Sequence, residues 1–140
     1  MKATFGAGCF WHVEDLLSKT KGVQSTQTGY IGGQLTNPTY EEVCTDKTGH
    51  AEAVQVEYNP DEISFEELLD VFWNNHNPTT LNRQGPDIGI QYRSAIFYHD
   101  EQQKNIAQKS KQILDDSGKY GASIVTEIVP APVFYKAEEY

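Results

Sequence analysis

Cysteine is scarce in this sequence: its 140 residues include two, Cys9 and Cys44. Two thiols cannot build a disulfide framework. They form no C-x-x-C pair, which excludes a zinc ribbon and a thioredoxin-type motif. Basic residues are few, 11 Lys and Arg against 20 Asp and Glu, for a net charge of −9. A nucleic-acid partner calls for a basic footprint, so none is expected. No apolar run approaches the ~20 residues of a membrane helix, so no membrane partner is expected either. Met1-Lys2-Ala3-Thr4-Phe5 lacks the apolar stretch of a signal peptide. Free thiols without a leader suggest the cytoplasm. His12, His50, His76 and His99 are spread out with no ligand spacing, so no metal is expected. Repeats, linkers and low-complexity segments are missing.

What is there reads as one domain, residues 1–140, with 38% hydrophobic and 22% charged residues. A short strand over Ala3–Phe5 leads through Gly6-Ala7-Gly8 into a helix that starts near Cys9. Phe10, Val13, Leu16 and Leu17 fit its 3.6-residue period. Lys19, Lys21 and Gly22 end it. Val23–Ile31 reads as a strand broken by Gly32-Gly33. Thr39-x-x-Glu42 is a capping box for a short helical turn. Ala51–Tyr58 alternates as a strand and stops at Asn59-Pro60. Ser64-x-x-Glu67 is a second capping box, stapled by Ile63 and Leu68, on a helix that Phe65, Leu69 and Phe72 carry to about His76.

The segment 77–91 is polar, rich in Gly, Pro and Asn, and reads as a long functional loop. Tyr92–Tyr98 is a strand. Asp100-x-x-Gln103 opens a helix that Gly118 closes. Ile124–Ile128 is a last strand before a short tail through Pro130 and Pro132. The order predicts an α+β two-layer sandwich, helices on a mixed sheet, with a ferredoxin-like (split βαβ) core.

Cys9 follows a Gly-rich turn at the first residues of a helix. Unpaired N–H groups and the positive dipole end favour a thiolate there. The alternative is a small buried hydrophobe, a common fate of free cysteine. Glu52 shares a strand phase with Val54, Val56 and Tyr58. A carboxyl group desolvated in that phase stays protonated more easily, as a general acid must. The alternative puts Glu52 in water at a frayed strand end. Tyr40, in a Pro-containing turn, and Tyr92, after the long loop, could donate phenolic hydrogen bonds into a cleft, or simply pack. Phe10 and Trp11 could wall an apolar pocket beside Cys9, and Phe10 equally fits plain core. Two other classes stay open at this point. One is a Cys–His hydrolase using Cys9 with His50 or His76. The other is a non-enzymatic redox-sensing or protein-binding module switched by Cys9.

Gly8-Cys9-Phe10-Trp11 resembles the signature of the peptide methionine sulfoxide reductases of the A type. The resemblance continues through Gly29-Tyr30-Ile31-Gly32-Gly33, Asn37-Pro38-Thr39-Tyr40 and Thr48-Gly49-His50-Ala51-Glu52. It resumes at His76-Asn77-Pro78-Thr79, Arg83-Gln84-Gly85-Pro86-Asp87 and Gln91-Tyr92-Arg93-Ser94-Ala95-Ile96, and reaches the tail Phe134-Tyr135-Lys136-Ala137-Glu138-Glu139-Tyr140. Asn77 stands where the family often has Asp, and Pro86 where it often has Asn. The resemblance implies that Cys9 is the nucleophile, that Glu52 is the acid, and that Tyr40 and Tyr92 hold the sulfoxide oxygen. It also implies that Phe10 and Trp11 cradle the substrate methyl and that Asp87 supports the site. The implied reaction reduces the S epimer of methionine sulfoxide, free or in proteins, and leaves Cys9 as a sulfenic acid. No metal, flavin or nucleotide is required.

Many relatives continue past this point with a tail that carries a recycling cysteine; this sequence ends at Tyr140 without one. Cys44 is the other thiol, and nothing in the sequence brings it to Cys9. Recycling is therefore expected from an external thiol acting on a monomer: glutaredoxin with glutathione ahead of thioredoxin, which reduces a disulfide already formed and should support turnover poorly. Cys9→Ser is expected to abolish reduction of methionine sulfoxide in a thiol-driven assay. A serine offers no alkoxide at neutral pH and cannot carry a sulfenate. Retained turnover would remove Cys9 from the chemistry.

Overall fold

The computed structural model describes residues 1–45 and 47–137; the side chain of Phe10 is outside that description. Both capping boxes form as their spacing requires. Thr39 Oγ1 accepts from the Glu42 N–H, and the Glu42 carboxylate accepts from the Thr39 N–H, opening helix α2, Tyr40–Val43. Ser64 and Glu67 do the same for α3, Phe65–Asn74. Asp100 accepts from the Gln103 N–H at the start of α4, Glu101–Asp116. Helix α1, Phe10–Ser18, starts at Cys9 with no side-chain cap.

Among the described residues the strands are β1 Lys2–Ala7, β2 Val23–Ile31, β3 Ala51–Tyr58, β4 Arg83–Gln84, β5 Asp87–Ile88, β6 Ser94–Tyr98, β7 Glu127–Pro130 and β8 Tyr135–Lys136. Six of them build one mixed sheet in the order β7-β6-β1-β3-β2-β8; β4 and β5 form a separate hairpin. β3 lies antiparallel between β1 and β2, and β1 lies antiparallel between β3 and β6. β1 and β2 therefore run parallel, joined across one face by α1. β3 and β6 are likewise parallel, joined by α3. β6 and β7 pair in parallel. The result is an α+β fold with helices on a mixed sheet.

Strand alternation decides what each face buries. Ala3, Phe5, Val54, Val56, Tyr58 and Ile96 point to the helices. There they meet Val13 and Leu17 of α1, Phe65, Leu68, Leu69, Phe72 and Trp73 of α3, and Ala107 of α4. The other face is thinner: Ile31, Ala51, Ala53, Ala95 and Phe97, packed by Val129, Ala131 and Phe134. The tail predicted as irregular thus supplies an edge strand, β8, beside β2. Gly29 permits it, since a Cβ there would collide with the Tyr135 carbonyl oxygen and the Phe134 ring. No helix among the described residues is long and apolar enough to cross a membrane.

The segment 77–91 is more ordered than a plain loop. Its middle folds back as the β4–β5 hairpin, and a 3-10 turn, Ile90–Tyr92, follows. Tyr92 accordingly sits on that turn, and the strand predicted from Tyr92 begins at Ser94. The last strand begins later than predicted, at Glu127. The Gln84 amide fastens the loop, accepting from the Asn77 N–H at 2.9 Å and donating to the Asn77 carbonyl at 2.5 Å. His76 fixes where the loop starts. Its Nδ1 donates to the Phe72 carbonyl at 2.6 Å and its Nε2 accepts from Ser94 Oγ at 2.7 Å. Ser94 Oγ in turn takes the Thr126 hydroxyl proton at 2.7 Å.

This chain of bonds suits a neutral imidazole, and burial pulls His76 down to about 4. The bond to the Phe72 carbonyl works the other way and is weaker. Unfolded His76 would titrate near 6.5. Between those values the unfolded chain binds more protons, so stability falls as pH falls. The contribution of neutral His76 is complete above about pH 6.5 and gone near pH 4, up to about 3 kcal/mol in all. Urea midpoints over that window should fall more steeply for the wild type than for His76→Asn. Equal slopes would show that His76 is not the group responsible.

Candidate active site

Cys9 is half-buried and free, at the N-terminus of α1 where the sequence placed it. The turn before it needs a glycine twice over. Gly8 has φ +89°, and a Cβ there would lie 2.7 Å from Gln84 Cγ. Gln84 belongs to the β4–β5 hairpin and pairs with Asp87. The hairpin therefore lies against the turn that presents Cys9, and Asp87 comes with it, half-buried. Trp11, two residues into the helix side of Cys9, is 49% exposed. The predicted role of the Phe10 side chain falls outside the described residues.

Glu52 is 2% exposed, so the buried reading of its strand phase holds. In the β2–β3 register it stands opposite Tyr30, itself fully buried. β1 is its other neighbour: a Cβ on Gly6 would lie 3.4 Å from the Glu52 carbonyl oxygen. The backbone of Glu52 thus runs beside the end of β1, from which Cys9 emerges.

Side chains from two further segments close around Glu52. Gln91 Nε2 lies 3.5 Å from Glu52 Oε2 and 3.4 Å from Cys44 Sγ. Tyr40 is hydrogen-bonded to Cys44, and that bond is the largest influence raising its phenol above the ordinary tyrosine value. Electrostatic interaction with Cys44, burial, and electrostatic interaction with Tyr92 and Glu52 act in the same direction. Burial raises Tyr92, helped by the Glu52 charge, while hydrogen bonds from Gln91 and Tyr40 oppose the rise. Both phenols are held protonated at neutral pH. They can donate hydrogen bonds and cannot act as bases.

The structure therefore brings Tyr40, Glu52 and Tyr92 together, as predicted. It adds Cys44 and Gln91, which the sequence reading left out of the site. Cys44 had a usable signal. It follows Tyr40 by one helical turn, the spacing that puts two side chains on one face, and its N–H bonds the Tyr40 carbonyl at 3.0 Å. Gln91 had none, since it sits in a polar segment without periodicity.

The two histidines that a Cys–His hydrolase would need are committed elsewhere. His50 is 1% exposed. Its Nδ1 accepts from the Gly33 N–H at 3.0 Å, and its Nε2 donates to the Leu35 carbonyl at 2.7 Å. Both nitrogens of His76 are occupied by Phe72 and Ser94. Neither imidazole has a nitrogen left to take a proton from Cys9, and the acid–base equipment of the site is a carboxyl with two phenols. A separate groove of about 570 Å³ between α3 and α4, lined by Leu69, Trp73 and Ile113 among others, includes none of these groups.

Known proteins resemble this chain over almost its whole length. The family described as peptide methionine sulfoxide reductase matches residues 1–140. The chain is 60% identical over 139 residues to the peptide methionine sulfoxide reductase MsrA of Methanothermobacter thermautotrophicus, covering 99% of this chain and 82% of the relative. The crystal structure of reduced Mxr1 from Saccharomyces cerevisiae superposes with a TM-score of 0.93 at 38% identity, over 100% of this chain and 81% of Mxr1. Mxr1 in complex with Trx2 gives 0.73 at 29% identity, over 99% and 81%. A thiol at a helix start, a buried carboxyl and two protonated phenols, on that fold and with those relatives, leave one conclusion: the chain belongs to the peptide methionine sulfoxide reductase family, as an A-type enzyme that reduces methionine sulfoxide.

Proposed function

We propose that this enzyme acts on the S epimer of methionine sulfoxide, free or in proteins, by attack of the Cys9 sulfur on the sulfoxide sulfur. The observation that carries the reading is Glu52: a carboxyl group 2% exposed, on a strand that runs beside the end of β1, from which Cys9 emerges, and flanked by Tyr40 and Tyr92. As the Cys9 thiolate attacks, negative charge builds on the sulfoxide oxygen. Glu52 gives that oxygen a proton, and the two phenols donate hydrogen bonds to it. The original sulfur–oxygen bond and the transient sulfur–sulfur bond then break, methionine leaves, and the hydroxyl oxygen passes to Cys9 as a sulfenic acid, so Cys9 is oxidised by two electrons and the methionine sulfur is reduced by two.

Trp11, with a face open to solvent, and Phe10 would cradle the substrate methyl. Asp87 would support the cleft through the hairpin that rests on Gly8. The central strand order β6-β1-β3-β2 supports a ferredoxin-like core. We place the enzyme, as a monomer, in the reducing cytoplasm, where it would repair oxidised methionine. An external thiol would clear the sulfenate. Thioredoxin is favoured by the Trx2 complex of Mxr1, and glutaredoxin with glutathione fits a sulfenate that persists.

The test uses the two separated sulfoxide epimers with dithiothreitol as reductant. Consumption of the S form alone is expected, and consumption of the R form or of neither would overturn the proposal. One equivalent of S substrate followed by dimedone should then leave an adduct on Cys9. A Cys9–Cys44 disulfide, read as linked peptides two hydrogens lighter, would show instead that recycling runs through Cys44 and a dithiol reductant.

A further inference from the structure

Gln91 occupies a position that the proposed chemistry leaves unused. It is 3% exposed, in the turn just before Tyr92. Its side chain touches three members of the site: Cys44 Sγ at 3.4 Å, Glu52 Oε2 at 3.5 Å, and Tyr92. A carboxamide nitrogen carries two protons and no acceptor capacity. It can therefore serve the thiol sulfur and the carboxyl oxygen together, and that double engagement fixes where the amide lies. The carbonyl oxygen is the better acceptor of a carboxylic acid. With Oε2 accepting from Gln91, the acid proton of Glu52 belongs on Oε1.

We propose that Gln91 is a positioning residue that acts through Glu52: its amide, anchored on Cys44, holds Oε2 and keeps the transferable proton on Oε1. The inference rests on the reading of Glu52 as the acid. The 3.5 Å separation is long for a hydrogen bond, as such contacts often are in an enzyme without substrate, and it tightens as the cleft fills. Without Gln91, Oε2 loses this donor and the preference for a proton on Oε1 weakens.

Gln91 also donates to the ionised carboxylate and so favours it. Its loss would let Glu52 keep a proton to higher pH. The groups gathered about Glu52 from the surrounding elements are Tyr30 opposite it on β2, Tyr40 on α2, Cys44 at the C-terminal cap of α2, and Tyr92 on the turn. A change confined to Gln91 leaves all four in place.

The experiment measures single-turnover reduction against pH in wild type, Gln91→Met and Glu52→Gln. Methionine keeps the length and bulk of glutamine and removes the donor. Q91M should lower the maximal rate about tenfold and move the alkaline limb up by about one pH unit, with KM little changed. The acidic limb should stay. In an E52Q background Q91M should cost little more, because the two act as one unit. Should Q91M fold poorly, Q91N, which withdraws the amide by one methylene, reads the same limb. A slower Q91M with its alkaline limb unmoved would overturn the inference alone, provided E52Q loses about 10² or more. E52Q at the wild-type rate would overturn the acid reading itself, and the role of Gln91 with it.

Discussion

Burying a carboxyl group in an apolar layer is costly unless other groups answer it, and Glu52 is placed so that it must be answered. It shares its face with Val54 and Val56, which are fully buried against α1 and α3. Its strand is paired on both sides, by β1 and by β2, so the residue cannot rotate to the other face without a slip of the whole register. Such a slip would expose Val54 and Val56 and bury Gln55 and Glu57. The hydrophobic core thus fixes the position of the polar group. The cleft is then built from what gathers around it, the Gln91 amide and the phenols of Tyr40 and Tyr92.

Those groups come from segments with little core of their own. α2 is four residues long, and the turn that carries Gln91 and Tyr92 is three. Polar fastenings replace packing in both places. A capping box starts α2. His50 ties the chain before it by holding Gly33 and Leu35. On the other side His76 joins Phe72 to Ser94 across the hairpin segment, and Gln84 ties the hairpin to Asn77. His50 and His76 are consequently structural here. Each has both ring nitrogens committed, and each stiffens a segment that delivers a site residue.

The sulfur chemistry has a matching division. Cys9 stands at a helix start, half-buried, on a turn that tolerates only glycine before it. Cys44 is bonded to Tyr40 and Gln91. One thiol stands at a helix start, and the other is tied into the group of side chains around Glu52.

The sequence alone determined much of this. Period-2 alternation over Ala51–Tyr58 put Glu52 on the buried face, because side-chain direction in a strand is a local property. The capping boxes at Thr39 and Ser64 and the Gly8-Cys9 turn were equally local, and the motif blocks around Cys9, Tyr40, Glu52 and Tyr92 named the family. Other features left no local trace. β4, β5 and β8 are two residues each, too short to show alternation, so the hairpin and the tail strand read as loop. Gln91 joins the site because it folds onto Glu52, 39 positions away, and onto Cys44, 47 positions away. That meeting is set by the pairing of β3 between β1 and β2 and by the fastening of two loops. Only the tertiary structure decided it, since long-range pairing depends on the whole core and not on any window of the chain.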